Sequence, residues 1–254
     1  MWDAALYDKL SKERMQPSID LTARIADVAC RRIIDVGCGT GLSTIPLRRR
    51  WPDAEIIGVD LSAQMLEKAK LTLDSATWLQ RDCSKPLNDL GKFDIVFSNA
   101  FLQWLRNQKE FLENTSYLLN EGGVLAIQVP DFKSMPASDC IKLTAEEYPE
   151  ISKSVENTLY SENYDIEEYY DILNRYYSEV EVWRIDYYHV MPDHEAILEF
   201  IKGTALRPYL ARMDHDTAEA FQCKIISELK KCYTVREDGN VLFDFKRIFM
   251  LARR

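Results

Sequence analysis

A glycine-rich turn between an apolar run and a helix-like segment constrains the fold of this chain more than any other feature. Residues 33–45 read IIDVGCGTGLSTI, with Gly37, Gly39 and Gly41 at every second position. Glycine accepts backbone angles and close approaches that a side chain forbids. A strand, a glycine turn and a helix N-terminus together present backbone N–H groups to an anionic or polar ligand. We therefore expect such a ligand where the first strand ends.

Apolar runs of strand length alternate with amphipathic segments around this turn. The alternation predicts an α/β fold with a doubly wound, mostly parallel sheet, because consecutive parallel strands need helical crossovers. Strands are predicted in RRIIDVG, AEIIGVDLS, TWLQRDCSK, FDIVFSNA and GGVLAIQVP, and the later EVEVWRIDYYHV and FKRIFMLARR bring the sheet to seven strands. Helices are predicted in PSIDLTARIADVA, GLSTIPLRRRW, SAQMLEKAKLTL and KEFLENTSYLL, and NEGG is predicted to be a turn.

The alternation breaks after Pro130. Residues 133–160 hold no buried strand, and residues 192–238 contain further helical patterns. We interpret both segments as insertions that form a helical lid on a single domain spanning residues 1–254. Residues 1–28 are expected to be an N-terminal helical segment of the same domain.

Charge and composition exclude several classes of protein. The formal net charge of -9 argues against a partner with a phosphate backbone, so no nucleic acid is expected. The start, MWDAALYDKLSKER, lacks the pattern of a signal peptide, and no apolar run reaches the about 18 residues of a membrane helix. The six cysteines include no C-x-x-C, so we expect no metal site, no disulfide framework and a location in the cytoplasm.

The spacing of the three glycines differs from that of a nicotinamide site. The dinucleotide pattern is G-x-G-x-x-G, whereas this chain has G-x-G-x-G preceded by Asp35. The spacing resembles that of S-adenosylmethionine-dependent methyltransferases, in which the turn passes close under the methionine part of the cofactor. A purely structural turn is the alternative, and we interpret Cys38 inside the loop as a small packing residue.

Polar residues at the ends of later strands favour the methyltransferase interpretation. The resemblance places Asp60 at the ribose hydroxyls, Asp82 or its neighbour near the adenine amino group, and Asn99 beneath the sulfonium. Each would otherwise be an ordinary turn residue or helix cap, but together they follow successive parallel strands, where open sheets bind ligands. The candidate cofactor-binding residues are Asp35, Gly37, Cys38, Gly39, Gly41, Asp60, Leu61, Asp82, Cys83 and Asn99.

Longer segments resemble the bacterial trans-aconitate 2-methyltransferases almost from end to end. The likeness covers LYDKLSKERMQPSIDL, DVGCGTG, SNAFLQWL, GGVLAIQVPD, YYDIL, EVWRIDYYHVMPDHEAILEFIKGTALRPYL and FKRIFMLARR. The middle segments also occur in the malonyl-carrier-protein methyltransferases of biotin synthesis. Residues 133–160 show no clear family pattern. If part of the substrate pocket lies in this segment, the substrate can differ from that of the family.

The resemblance implies a Rossmann-like methyltransferase fold and methyl transfer to one carboxylate of a small tricarboxylic acid. The products would be a monomethyl ester and S-adenosylhomocysteine. A carboxylate is already ionised at pH 7, so we expect no general base. The expected partner is a small polycarboxylate, with no membrane partner and no metal. The alternatives are another acceptor, such as malonyl-carrier-protein, or a protein that binds the cofactor without catalysis.

Arginines are the expected anchors for a polyanionic substrate, because a guanidinium binds a carboxylate through two parallel hydrogen bonds. Arg14 follows the N-terminal segment, Arg207 lies in TALRPYL, and Arg247 opens the predicted last strand. We favour Arg14 and Arg207 over Arg247.

Four further side chains complete the predicted substrate site. Gln103 and Trp104 follow the fourth strand, where Trp104 would exclude water beside the sulfonium. Tyr188 and His189 leave the sixth strand towards the predicted lid, with polar tips for substrate oxygens. Ordinary packing is the alternative role for Trp104 and His189. The remaining histidines, His194 and His215, are predicted to be surface residues of helices.

Overall fold

The part of the chain that the structure describes, residues 15–26, 28–156 and 164–254 of a computed structural model, contains one seven-stranded sheet. Its strands are β1 (Arg32–Val36), β2 (Glu55–Asp60), β3 (Thr77–Gln80), β4 (Phe93–Asn99), β5 (Leu119–Pro130), β6 (Glu179–Met191) and β7 (Val241–Arg253). They lie in the order β3-β2-β1-β4-β5-β7-β6. Strands β1 to β5 pair in parallel and β7 runs antiparallel to β5, which confirms the predicted mostly parallel sheet.

The central strands are apolar on both faces. Ile33, Ile34 and Val36 of β1 are fully buried, as are Ile95 and Val96 of β4. Near-continuous apolar runs of this kind are typical of parallel strands covered on both sides. Because the chain returns to the same edge before each parallel strand, the carboxyl ends of β1 to β5 share one edge of the sheet.

Ten helices lie in the described ranges. They are α1 (helical at residues 15–24), α2 (Ile45–Arg50), α3 (Ala63–Thr72), α4 (Gln108–Leu118), α5 (Pro136–Ala145), α6 (Pro149–Glu156), α7 (Ile166–Leu173), α8 (His194–Lys202), α9 (Arg207–Leu210) and α10 (His215–Cys232). Short 3-10 turns occur at Leu42–Thr44, Asn88–Leu90, Leu102–Trp104 and Phe132–Ser134. Ser62 begins α3 as predicted, since its side chain accepts a hydrogen bond from the Met65 N–H.

The described residues divide into two compact units. The first comprises residues 15–130, 164–185 and 247–254, and the second comprises residues 131–156 and 186–246. The first unit contains β1 to β5, helices α1 to α4 and α7, and the adjoining parts of β6 and β7. The second holds α5, α6 and α8 to α10. Helices thus occur in the described residues of both segments predicted as insertions, and their action as a lid stays a prediction.

The predictions for one turn and for one histidine were wrong. The segment Asn120–Gly123, predicted as a turn, belongs to β5, where Gly122 has a φ of 73° and the pairing of β4 with β5 shifts register between Phe93 and Ile95. His194, predicted at the surface, is buried, and its Nε2 lies 2.7 Å from the Tyr233 carbonyl oxygen. His215 is exposed, as predicted.

Candidate active site

The glycine loop after β1 is tied to β2 by backbone hydrogen bonds. The Gly37 and Cys38 N–H groups donate to the Val59 carbonyl oxygen at 2.8 and 3.1 Å. Gly37 has a φ of 74°, and a Cβ there would lie 2.1 Å from the Phe101 ring. Gly39 has a φ of 54°, and apart from its two chain neighbours no described residue has an atom within 4 Å of its Cβ position. The loop therefore needs glycine conformations, and at Gly39 its backbone can be closely approached.

Asp35, inside the sheet on β1, binds the two residues that precede α2. Its carboxylate is fully buried and accepts hydrogen bonds from Thr44 Oγ1 at 2.5 Å and Ser43 Oγ at 3.4 Å. Burial raises the pKa of Asp35 from 3.8 to about 7, although the two hydroxyl groups oppose this rise. The other oxygen, Oδ1, is buried and has no hydrogen-bond partner among the described residues. Asp35 therefore fixes the turn between β1 and α2.

Asp60 joins the glycine loop to the start of α3. Its Oδ2 accepts a hydrogen bond from the Gly39 N–H at 3.0 Å, and its Oδ1 accepts one from the Ser62 N–H at 2.8 Å. A carboxylate offers about four lone-pair sites, so each oxygen retains capacity for a ligand hydroxyl group. Leu61, the next residue, is 64% exposed and offers an apolar surface beside it.

The residues after β3 divide between surface and interior. Asp82 is half-buried at the loop, and hydrogen bonds from Ser84, aided by Lys85, hold the pKa of its carboxyl below the ordinary value. Cys83 is buried, and burial raises the pKa of its thiol to about 12. Cys38 is also buried, and burial raises its thiol pKa as well. Both cysteines are therefore neutral packing groups beneath the loop and not nucleophiles.

The residue that follows β4 has a strained backbone. Ala100 has a φ of 55°, the only positive value at a described residue other than glycine. Its N–H donates to the Gln128 carbonyl oxygen at 2.9 Å, and its own carbonyl oxygen accepts a hydrogen bond from Gln103 Nε2 at 2.7 Å. A strained backbone conformation is kept only where the surrounding contacts enforce it, and such residues are often found at functional sites.

Two buried acceptors lie beside this strained residue. Asn99 Oδ1 and Gln103 Oε1 are buried, and neither has a hydrogen-bond partner in the part of the chain that the structure describes. A buried oxygen without a donor costs roughly 1–3 kcal/mol, so both atoms suit a ligand that supplies donors. Trp104 ends the 3-10 turn after Ala100 and is half-buried.

The second unit holds the remaining predicted substrate residues. Tyr188 is 62% exposed, and Arg207 is exposed at the first position of α9. His189 is buried instead, with its ring 5.4 Å from that of Phe200 and 5.9 Å from that of Phe245. All three lie in this unit, and Tyr188 and His189 belong to β6 itself. Arg14 lies outside the described residues.

Two polar residues that the sequence reasoning left out or ranked low are buried in the first unit. Gln128, from the apolar run VLAIQVP, is fully buried on β5. Arg247 is also buried, and its Nη1 donates to Gln128 Oε1 at 3.1 Å. Arg247 lies in the middle of β7, which begins at Val241 and not near Arg247 as predicted. A glutamine inside an apolar strand was the signal that could have identified this pair.

Other kinds of site are absent from the described ranges. Residues 15–26, 28–156 and 164–254 hold no group of three or more His, Cys, Asp or Glu side chains arranged to bind a metal ion. In the same residues no helix has the length and apolar character needed to cross a membrane.

Known proteins similar to this chain are methyltransferases. Residues 34–127 match the protein family described as "Methyltransferase domain". The trans-aconitate 2-methyltransferases of Escherichia coli (strain K12 / DH10B) and Shigella flexneri are both 35% identical over 255 residues, which is 100% of this chain and 98% of each relative.

Solved structures confirm the fold. A putative methyltransferase from Bacillus halodurans has a TM-score of 0.60 at 16% identity and covers 94% of this chain and 98% of its own. Phosphoethanolamine N-methyltransferase 2 of Haemonchus contortus, solved with S-adenosyl-L-methionine, has a TM-score of 0.56 at 19% identity and covers 93% of this chain and 52% of its own.

The glycine loop and Asp60 fit this cofactor, because an approachable backbone and a carboxylate with spare lone pairs suit an amino-acid group and ribose hydroxyls. The chain uses S-adenosylmethionine as its methyl donor. It belongs to the family of the trans-aconitate 2-methyltransferases, within the class I S-adenosylmethionine-dependent methyltransferases.

Proposed function

We propose that this enzyme methylates one carboxylate of a small polycarboxylic acid, with trans-aconitate as the first candidate, to give a monomethyl ester and S-adenosylhomocysteine. One observation carries the proposal. The similarity to proteins named trans-aconitate 2-methyltransferase extends over 100% of the chain, far beyond the methyltransferase domain at residues 34–127. It therefore includes the second unit, where the predicted substrate residues Tyr188, His189 and Arg207 lie.

In this reaction the protein has to orient the reactants and exclude water, and it does not have to transfer a proton. When bound, S-adenosylmethionine supplies a methyl group that its sulfonium sulfur activates. The substrate carboxylate is ionised at pH 7 and attacks without a general base. Orientation of the reactants can lower a barrier by about 7–11 kcal/mol, which is the contribution we assign to the protein.

The proposed division of work follows the positions of the side chains. Asp60 accepts the ribose hydroxyl groups, and the backbone at Gly39 receives the methionine part of the cofactor. Asn99 Oδ1 accepts a hydrogen bond from an N–H or O–H group of a bound ligand. Trp104 excludes water from the reacting atoms. We assign substrate contacts to Arg14, Gln103, Trp104, Tyr188, His189 and Arg207, and cofactor contacts to the ten residues named from the sequence.

Two other functions define the test. The first is methylation of malonyl-carrier-protein. An acidic carrier protein would dock best on a basic surface of the enzyme, and the net charge of -9 disfavours this acceptor. A protein that binds the cofactor without catalysis would show no turnover with any acid. All six cysteines are free, which suits a reducing compartment, and we place the reaction in the cytoplasm.

The experiment is a comparison of kcat/KM across acceptors by mass spectrometry of the methyl esters. Purified full-length protein is incubated with S-adenosylmethionine and trans-aconitate, cis-aconitate, citrate, isocitrate or malonyl-carrier-protein. We expect the highest kcat/KM with trans-aconitate. A higher value with malonyl-carrier-protein would replace the proposed acceptor. Cofactor binding without a methylated product from any acid would contradict the proposal.

A further inference from the structure

Two cysteine side chains of the second unit meet between α5 and α10. Cys140 lies on α5, and Cys232 is the last residue of α10. The Cys140 thiol donates to Cys232 Sγ, and the two sulfur atoms are 3.6 Å apart. Because 92 positions separate the two residues in the sequence, the packing of α5 against α10 is what brings the thiols together.

Hydrogen bonds beside the two thiols fix the helices against each other. Tyr233 follows Cys232 and is buried, and its hydroxyl accepts a hydrogen bond from the Ala137 N–H at 3.2 Å. The same hydroxyl donates to Asp244 Oδ1 at 2.9 Å. Ala137 lies in the first turn of α5, one turn before Cys140. The residue after one cysteine is therefore bonded to the helical turn before the other, which holds the two thiols in register.

The two thiols differ in their access to solvent. Cys140 is 3% exposed, whereas Cys232 is exposed at the end of its helix. Burial raises the pKa of the Cys140 thiol, so this group is protonated at neutral pH. A small reagent therefore reaches Cys232 first, and reaction of the pair begins there. Cys140 can react next, because it already touches the sulfur atom that has been modified.

The separation of the sulfur atoms is close to that of a disulfide. An S–S bond is about 2.05 Å long, so the two sulfur atoms have to approach each other by about 1.6 Å. Rotation of each side chain about its Cα–Cβ bond moves its sulfur atom, and each atom has to cover only half of this distance. Cys223, also on α10, lies nine positions before Cys232 and about 13 Å from it along the helix, which is too far for either thiol of the pair.

We propose that Cys140 and Cys232 form a site for thiol–disulfide exchange, which a small disulfide such as glutathione disulfide converts reversibly into a disulfide between α5 and α10. The Cys232 thiolate attacks one sulfur of glutathione disulfide, which forms a mixed disulfide and releases one glutathione thiolate. Cys140 then loses its proton to solvent and attacks Cys232 Sγ, which releases the second thiolate. The two thiolates take up the two protons that the cysteines lost. The cysteine pair is oxidised by two electrons, and glutathione disulfide is reduced by two.

This inference goes beyond the proposed function, because it does not depend on the methyl acceptor. All six cysteines are free, and in a reducing compartment the pair remains as two thiols until glutathione disulfide accumulates. The chain between the two cysteines includes Tyr188 and Arg207. The disulfide would therefore close a loop of chain that contains predicted substrate residues.

The experiment equilibrates reduced full-length protein with glutathione buffers of increasing oxidised fraction. N-ethylmaleimide then blocks the remaining thiols, and the digested protein is measured by mass spectrometry. We expect one linked pair of peptides, which contains Cys140 and Cys232, has lost one hydrogen atom from each thiol and is separated by dithiothreitol. Cys223 should carry single glutathione groups and form no link.

The amount of oxidant separates a positioned pair from an ordinary exposed thiol. A thiol in contact with its partner has an effective concentration above the mM values of short flexible linkers. At about 1 mM glutathione, half-formation of the link should therefore need about tenfold less glutathione disulfide than half-modification of Cys223. An equal requirement for both would contradict the inference.

Three variants separate the roles of the cysteines. In Cys140→Ala, glutathione should stay on Cys232, because the buried thiol that displaces it is missing. In Cys232→Ser, Cys140 should remain unmodified. Cys223→Ser is the matched control, since it removes an exposed thiol from the same helix and should form the link as the wild type does. Thermal unfolding checks that each variant folds, and Cys232→Ser carries the test if Cys140→Ala does not fold.

Three results would overturn the inference. The first is the absence of the linked peptides from folded wild-type protein in every glutathione buffer. The second is a link that forms only after unfolding in urea, because the packing of the helices would then not be its cause. The third is equal modification of Cys232 by glutathione in the wild type and in Cys140→Ala. None of these measurements uses a methyl acceptor, so their failure is distinct from failure of the proposed function.

Discussion

A buried tyrosine in the second unit and two buried amide side chains in the first unit differ in how far their hydrogen bonds are completed. In the second unit the Tyr233 hydroxyl donates to Asp244 Oδ1 at 2.9 Å and accepts from the Ala137 N–H at 3.2 Å. In the first unit Asn99 Oδ1 and Gln128 Nε2 are buried without a partner among the described residues. Folding alone completes the first set of hydrogen bonds and leaves the second open. Buried polar groups that folding leaves without hydrogen bonds mark the place where a bound ligand would complete them.

Left-handed backbone conformations are also concentrated in the first unit. Positive φ angles occur in the described part of the first unit at Gly37, Gly39, Gly41, Gly91, Gly122 and Ala100, but in that of the second unit only at Gly239. Four of the six, Gly37, Gly39, Gly41 and Ala100, lie in loops that follow β1 and β4. The first unit therefore carries these open polar groups and most of the left-handed backbone of the described residues. Variants in the two units should affect different measurements.

The largest expected effect concerns Asp35 and pH. Its folded pKa of about 7 lies above its unfolded value near 4, so the stability from the protonated carboxyl is present below pH 4 and lost as pH rises through 7. Asp35→Asn should remove this loss. We expect its unfolding free energy, relative to wild type, to rise between pH 4 and pH 8 by up to about 4 kcal/mol.

Urea unfolding of cofactor-free protein across this pH range measures the change. Asp82→Asn is the control, because the pKa of Asp82 is lowered and its contribution has the opposite sign: it is present above the unfolded value and lost as pH falls. A constant difference between wild type and Asp35→Asn would show that Asp35 titrates normally.

Next in size is Gly37→Ala. The new Cβ would overlap the Phe101 ring and force a left-handed conformation on alanine. We expect cofactor affinity to fall about a hundredfold, or roughly 2.7 kcal/mol, in a calorimetric titration. Gly39→Ala, which meets only the backbone penalty, should lose less. In Gly203→Ala, in the second unit, the new Cβ meets no described atom within 4 Å apart from those of its chain neighbours, so this variant should bind the cofactor normally. An equal loss of affinity in Gly203→Ala would remove the contrast between the units.

Asp60→Ala should have a smaller effect on the same titration. It removes the acceptor of the Gly39 N–H and the proposed acceptor of the ribose hydroxyls. We expect cofactor affinity to fall about tenfold or more, at least about 1.4 kcal/mol. Asp238→Ala in the second unit is the matched control, because Asp238 also accepts from a backbone N–H two residues later. Unchanged affinity in Asp60→Ala would exclude Asp60 from the cofactor site.

Arg207→Lys should give the smallest change, and in a different parameter. Loss of the guanidinium fork should raise KM for the polycarboxylate by about threefold to tenfold and leave the cofactor Kd unaltered. Steady-state kinetics with Arg212→Lys as control would measure this. Weaker cofactor binding in Arg207→Lys would instead assign Arg207 to the cofactor.

Much of the first unit could be predicted because its information is local. Each central strand is a continuous apolar run, and the glycine or acid that ends it follows directly in the sequence. The spacing of Gly37, Gly39 and Gly41 thus predicted the loop, and the strand ends gave Asp60 and Asn99 as candidate cofactor residues, which stay predictions.

Contacts between residues far apart in the sequence were not predicted. Gln128 and Arg247 are 119 positions apart, and only the pairing of β5 with β7 brings them together. The burial of His194 likewise depends on Tyr233, 39 positions later, whereas the local pattern of α8 predicts an exposed first turn. Local periodicity cannot encode such contacts, because they depend on which elements become neighbours.

Transfer of a labelled methyl group tests the central claim most directly. Full-length protein is mixed with S-adenosylmethionine carrying a trideuterated methyl group and with trans-aconitate, and the product is followed by mass spectrometry before and after mild alkaline hydrolysis. We predict one labelled methyl group per molecule, released by alkali as expected for an ester, with S-adenosylhomocysteine formed in equal amount. No labelled product, or a label that resists alkali, would contradict carboxylate methylation by this enzyme.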